Sequence, residues 1–185
     1  QMIKAVILQD FFSFRGENQI ELNEGLNILL GINGSGKTTF LNAFRLLYEG
    51  VAGNGFEKLF QESWGGYSNV VNANHQDTPD RIKLTFVFDH EKLKALVPKS
   101  PFKNDAYYEI EIRPIGKTSY SLAERLYSEN SKVTGKQFTY LDFKDGKGIF
   151  SVRHSDGVRN EQENYGGDLS SPELVLRQIS DPRRY

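Results

Sequence analysis

Cysteine is absent from the 185 residues. The chain can therefore form no disulfide framework, no thiolate zinc site and no cysteine nucleophile, and it suits a reducing compartment. No run approaches the ~20 apolar residues needed to cross a bilayer, and nothing resembles a signal peptide. A cytoplasmic protein without a membrane partner is expected. An excess of one charge is lacking too, with 23 Lys and Arg against 24 Asp and Glu. Whole-chain electrostatics thus argue neither for nor against a polyanionic partner. Between Arg113 and Arg159, nine basic residues face five acidic ones, which a solvated sheet edge explains as well as a nucleic acid does. There is no internal repeat, low-complexity tract or sustained heptad pattern.

What is present is an ordinary globular balance, 38% apolar and 25% charged, with 13 Phe and 9 Tyr. A chain of this length forms one domain that buries roughly 70% of its unfolded surface. Ile3 to Leu8 and Gln19 to Leu22 read as strands. Leu26 to Leu30 is a short continuous apolar run of the buried kind. A glycine-rich loop comes next, then a helix from about Lys37 to Tyr48, with Phe40, Phe44 and Leu47 on one face and Leu41 and Tyr48 beside them. Gly50 is the expected stop. Residues 50–80, rich in glycine and asparagine, read as a long surface excursion. Arg81 to Phe88 and Tyr107 to Arg113 alternate as strands, with a short helix from Glu91 to Val97 between them. Gln137 to Phe143 and Ile149 to His154 flank Lys144-Asp145-Gly146-Lys147-Gly148, a hairpin signal. Ser170-Ser171-Pro172-Glu173 announces a helix by cap and first-turn proline, running to about Gln178 before Asp181-Pro182.

Gly31-Ile32-Asn33-Gly34-Ser35-Gly36-Lys37-Thr38 matches G-x-x-x-x-G-K-[ST] completely, between a buried strand and an amphipathic helix. Each residue type has a physical task. Glycines at 31, 34 and 36 let the backbone approach phosphates, and their N–H groups point at the anion. The helix beginning near Lys37 presents about half a positive charge there. Lys37 adds a full charge for the β- and γ-phosphates, and the Thr38 hydroxyl suits magnesium. The nucleotide-binding set is Asn33, Gly34, Ser35, Gly36, Lys37, Thr38 and Thr39, with ATP and Mg2+ as cofactors.

Among phosphate-loop proteins, a GTPase requires D-x-x-G and N-K-x-D. Asp145-Gly146-Lys147-Gly148 fits the first but reads better as a hairpin turn, and N-K-x-D does not occur. A small-molecule kinase would continue with parallel strand–helix units, whereas this chain continues with antiparallel-looking hairpins.

Ile3 to Leu47 resembles the N-terminal lobe of ATP-binding-cassette ATPases of the SMC, RecF and related DNA-repair group, within the AAA family of P-loop proteins. Asp10-Phe11-Phe12-Ser13-Phe14-Arg15-Gly16 is similar to that group's N-F-[KR]-S-[FHY] segment. Gly25-Leu26-Asn27-Ile28-Leu29 with Gly31 to Phe40 is similar to its G-L-N-x-[LIV]-x-G-x-N-G-S-G-K-[ST] signature. The middle of the chain resembles the lobe's antiparallel subdomain only in architecture. Leu176-Arg177-Gln178-Ile179-Ser180-Asp181-Pro182 resembles the Q-loop region, which makes Gln178 a candidate magnesium ligand and catalytic coupling residue. Phe12 departs from the pattern by standing where the group has a basic residue. An aromatic there either stacks on adenine or packs in the core; packing is the preferred reading, and no site role is assigned to it.

The resemblance implies an α/β fold with a mixed, largely antiparallel sheet around the phosphate-loop helix. It implies one N-terminal lobe spanning 1–185, from phosphate loop to Q-loop, with 50–80 as an excursion within it. The signature sequence, the Asp-Glu strand and the switch histidine are expected in a separate C-terminal lobe. Expected partners are that lobe and a second head sandwiching ATP, with DNA by resemblance only and DNA repair or anti-phage defence as the setting. The alternative is a nucleotide-gated module that does not hydrolyse ATP.

Other residues invite functional readings that structure explains better. Asp89 and Glu91 come after a strand as magnesium acids would, but the strand's alternation indicates one wet face. His75, His90 and His154 make no metal spacing and are expected at the surface. Trp64 is expected to anchor the 50–80 excursion to the core.

Overall fold

The structure, a computed structural model, describes residues 2–23, 36–73, 77–98, 100–129, 135–154, 157–165 and 172–179. Eight strands form one sheet. They are β1 (Ile3–Phe11), β2 (Phe14–Glu21), β3 (Ile82–Phe88), β4 (Ala106–Ile115), β5 (Ser119–Glu129), β6 (Gln137–Lys144), β7 (Lys147–His154) and β8 (Gly157–Asn164). Their order is β2-β1-β3-β4-β5-β6-β7-β8. Every pairing among them is antiparallel, so the mixed sheet expected from the sequence is corrected for the described residues. The Leu26 to Leu30 run lies outside them.

Alternation gives the sheet its two faces. β4 buries Ala106, Tyr108, Ile110 and Ile112 and turns Tyr107, Glu109 and Glu111 outward. The outer face carries the Lys83–Glu109 and Arg81–Glu111 pairs and a stack of Tyr107 on Tyr127 with centroids 5.2 Å apart. The inner face carries α1 (Lys37–Val51), which buries Thr39, Phe40, Ala43, Leu46 and Gly50. Phe44 meets Phe86 of β3 at 6.1 Å between ring centroids. Leu41 and Tyr48, expected beside the buried stripe, are 59% and 64% exposed. The stripe is rotated toward Ala43, whose small side chain lets the helix settle onto the sheet. Gly50 does not stop the helix, which ends at Val51.

Within the 50–80 region, residues 56–71 are not a surface excursion. Phe56, Leu59 and Phe60 are buried, the latter two in a π-helical segment (Lys58–Ser63). Tyr67, Val70 and Val71 are buried at and just after α2 (Tyr67–Val70). Both trios fall at i, i+3 and i+4, a helical spacing that the surrounding glycines obscure. Trp64 contacts Phe12 at 5.1 Å and Phe11 at 6.2 Å, and so anchors this region to the end of β1.

Two elements show how local chemistry sets boundaries. Asp89 caps α3 (His90–Leu96), its carboxylate accepting from the N–H of Glu91 at 2.9 Å and of Lys92 at 3.1 Å. Asp145 (φ 52°) and Gly146 (φ 77°) supply the two left-handed residues of a type I′ turn between β6 and β7. The D-x-x-G match is therefore a hairpin turn. The last helix, α4 (Val175–Ile179), begins later than its sequence suggests, because Pro172 to Leu174 remain outside it. Ser170-Ser171 and Asp181-Pro182 lie outside the described residues. Among those, no helix is long and apolar enough to cross a membrane.

Phe86 is fully buried and joins the sheet to α1. Phe86→Ala is expected to cost roughly 3–5 kcal/mol of stability, read from urea unfolding. A loss below about 1 kcal/mol would show that the β3–α1 contact does not hold the fold.

Candidate functional site

Of the sequence-predicted phosphate loop, Gly31, Ile32, Asn33, Gly34 and Ser35 lie outside the described residues, and Gly36, Lys37, Thr38 and Thr39 lie within them. Gly36 stands before α1 with φ 99° and ψ −6°. A Cβ at this position would come within 2.4 Å of Cε1 of Phe14. Both the backbone angle and the ring above it require glycine.

The first turn of α1 closes by the Phe40 N–H donating to the Gly36 carbonyl at 2.9 Å. Helix geometry leaves the N–H groups of Lys37, Thr38 and Thr39 without intrahelical acceptors. Among the described residues no side chain caps this end, and no acidic residue stands in the first turn. The positive end of a 15-residue helix thus meets no acidic group of its own first turn, and Lys37 adds a full charge beside it.

The two threonines divide their roles. Thr39 is buried, its hydroxyl 2.7 Å from Oγ of Ser13, and the Ser13 N–H donates to the same oxygen at 3.4 Å. Thr38 is exposed, so its hydroxyl is the one presented to solvent, where a hard cation would find an oxygen ligand. Ser13 and Phe14 fasten the β1–β2 turn to the helix start. Sequence reasoning does not reach this positioning role, although both residues fall in the Asp10 to Gly16 segment that carries the resemblance. The turn is tightly specified. Asp10 and Phe12 have φ of 52° and 48°, and Asp10 accepts from the Gly16 N–H at 2.8 Å. Phe12 packs between Phe11 and Trp64, as the packing reading expects.

Gln178 is half-buried on α4. α4 is held on the sheet by Glu124, which accepts from the Val175 and Leu176 N–H groups, and touches the far end of α1, where Arg177 donates to the Glu49 carbonyl at 3.2 Å. Glu49 is twelve residues beyond Lys37, about 18 Å along the helix at 1.5 Å per residue. The described contacts do not bring Gln178 beside Lys37 and Thr38.

His90 is not an isolated surface residue. Its Nδ1 lies 3.0 Å from Asp105, and ligand atoms of Asp89, His90 and Asp105 lie within 4.8 Å of one another. These groups are already committed, Asp89 to capping α3 and Asp105 to the Lys4 ammonium. Burial raises the Asp105 carboxyl, but hydrogen bonds from Lys4 and His90 outweigh it and hold the group below the usual carboxylate value. The cluster ties β1, α3 and β4 together. His75 lies outside the described residues.

A helix that opens its positive end under a left-handed glycine, with lysine first and threonine second, defines a phosphate-loop nucleotide-binding domain. A family model described as an AAA domain matches residues 5–165. The chain belongs to that family of AAA-type P-loop ATPases, which is found in SMC- and RecF-like proteins. The family implies a bound nucleotide and usually Mg2+. The match takes in β3 to β8, so the strands that sequence patterning likens to the family only in architecture belong to the same domain. No curated protein matches the chain.

Gly36→Ala is expected to weaken ATP binding at least tenfold in calorimetric titration, about 1.4 kcal/mol, and to lower the unfolding temperature. Wild-type affinity in a folded Gly36→Ala protein would show that the left-handed turn under Phe14 does not shape the site.

Proposed function

We propose that this chain is the N-terminal nucleotide-binding lobe of an SMC/RecF-like ATPase that acts in DNA repair or in defence against foreign DNA. The observation that carries the proposal is the positive start of α1, free of acidic residues in its first turn, with Lys37 at its first position and Gly36 locked beneath Phe14. Asn33, Gly34, Ser35 and Gly36 supply backbone N–H groups to the phosphates. Lys37 supplies the charge, Thr38 the magnesium oxygen, and Thr39 its backbone N–H, since its hydroxyl serves Ser13.

Hydrolysis in this reading needs a second lobe, and two heads close on two ATP molecules. The placement of α4 supports that division. The helix carrying Gln178 meets α1 at the end opposite the phosphate site, and Gln178 serves there as the residue that couples this lobe to the second. DNA is the proposed partner of the assembled heads, by resemblance.

Lys37→Ala removes one charge-assisted phosphate contact. It should cost roughly 1.5–3 kcal/mol, ten- to a hundredfold in ATP affinity. Equal binding by wild type and variant in titration calorimetry refutes the assignment of the site.

In the ATPase assembled with its second lobe, Gln178→Ala should leave ATP affinity within a few-fold. Turnover should fall at least tenfold, about 1.4 kcal/mol of barrier. Unchanged steady-state turnover would make Gln178 an ordinary helix residue.

A further inference from the structure

Glu124 is out of place by composition. It occupies a core position of β5, between the buried Leu122 and the half-buried Leu126, and is 2% exposed. Carboxylates are seldom buried so completely without partners. All of its partners here are donors. The Tyr108 hydroxyl donates to Oε2 at 2.8 Å, the Leu176 N–H donates to the same oxygen at 3.2 Å, and the Val175 N–H donates to Oε1. Val175 and Leu176 open α4, about fifty residues later in the chain, so a strand side chain supplies the helix with the cap its own sequence does not. Tyr108 is itself buried, and it fixes the carboxylate from the neighbouring strand β4.

The same segment is held from other sides. The Tyr120 hydroxyl donates to the Pro172 carbonyl at 2.9 Å. Glu173 accepts from the N–H of Phe56 at 2.7 Å and of Glu57 at 3.3 Å. These bonds span the sheet, α4 and the chain just after α1, but among the described contacts only Glu124 meets the N–H groups of α4 itself.

We propose that Glu124 is a positioning residue whose buried carboxylate fixes α4 on the sheet and thereby sets the place of Gln178. The consequence for Gln178 rests on the function proposed above, whereas the fixing of α4 does not. Burial pushes the Glu124 carboxyl up, and the bonds from Val175, Tyr108 and Leu176 oppose that shift. The geometry suits the ionised form, because both oxygens face donors.

Glu124→Gln tests the chemistry without altering the volume. One acceptor becomes a donor and is set against a backbone N–H, so packing is retained while the cap is lost. Hydrogen exchange should quicken at least tenfold at the amides from Val175 to Ile179, while β4 and β5 change less than threefold. ATP affinity should stay within threefold of wild type. Glu124→Asp keeps the charge but withdraws it from α4, and should give the same selective loss should Glu124→Gln not fold. Tyr108→Phe keeps both backbone bonds and should leave α4 protection within threefold. Unchanged protection of α4 in both Glu124 variants overturns the proposal, as does an equal loss across β4 and β5. Failure of the wild-type chain to bind ATP would instead overturn the proposed function and leave the exchange comparison standing.

Discussion

Everything that the phosphate end of α1 can do depends on how the helix is seated on the sheet. Its buried stripe of Phe40, Ala43 and Leu46 meets an inner face built from Val6 and Leu8 of β1, Leu84 and Phe86 of β3, and Tyr108 and Ile110 of β4. These side chains lie in one connected core, so the helix axis is fixed by apolar contact along most of its length. Directional bonds then fix its start. The Ser13 hydroxyl engages Thr39, and the Phe14 ring closes over Gly36 at a distance that admits no side chain. Burial aims the helix, and the β1–β2 turn holds its first residues where a phosphate would meet them.

Polar groups inside this core are few and all engaged. Among the described residues, no buried side-chain nitrogen or oxygen lacks a hydrogen-bond partner. Thr39 is tied to Ser13, and Glu124 to Tyr108 and α4. An unpartnered group at such a site costs about 1–3 kcal/mol, whereas a satisfied one selects a single arrangement of the elements it joins. Thr39 and Glu124 sit at two places where the chain must be exact: the start of α1 and the start of α4.

That pattern explains how far the sequence is legible. The start and type of α1, the β6–β7 hairpin and the strands β1, β3 and β4 come from local signals: helical spacing, an Asp-Gly turn and alternation. The phosphate loop is legible as a motif, and family membership accords with it. β5 is not, because Glu124 interrupts its apolar alternation, and the partners that satisfy it, Val175 and Leu176, are about fifty residues away. β8, Gly157–Asn164, escapes because an edge strand of Arg, Asn, Glu and Gln carries no apolar period. Residues 56–71 read as surface because glycine and asparagine counts outweigh two short helical spacings. In each case the missing information is tertiary.

The geometry also constrains how the two ends of α1 can communicate. Lys37 stands at one end, and Glu49, which accepts from Arg177 of α4, stands about 18 Å away. Among the described contacts no side chain spans that interval, and the two ends are joined both by the helix and by the sheet beneath it, which meets α4 through Glu124. An α-helix seated in a close-packed core moves as a unit rather than by local deformation. The flank of α1 from Phe44 to Ala52 borders an apolar hollow of about 550 Å³, shared with Phe88, Leu126 and Leu176. The described contacts hold α1 at both ends, through Ser13 and Phe14 at its start and through Arg177 at Glu49. In the function proposed above, coupling between a bound nucleotide and a second lobe would pass through α1 and the sheet that seats it.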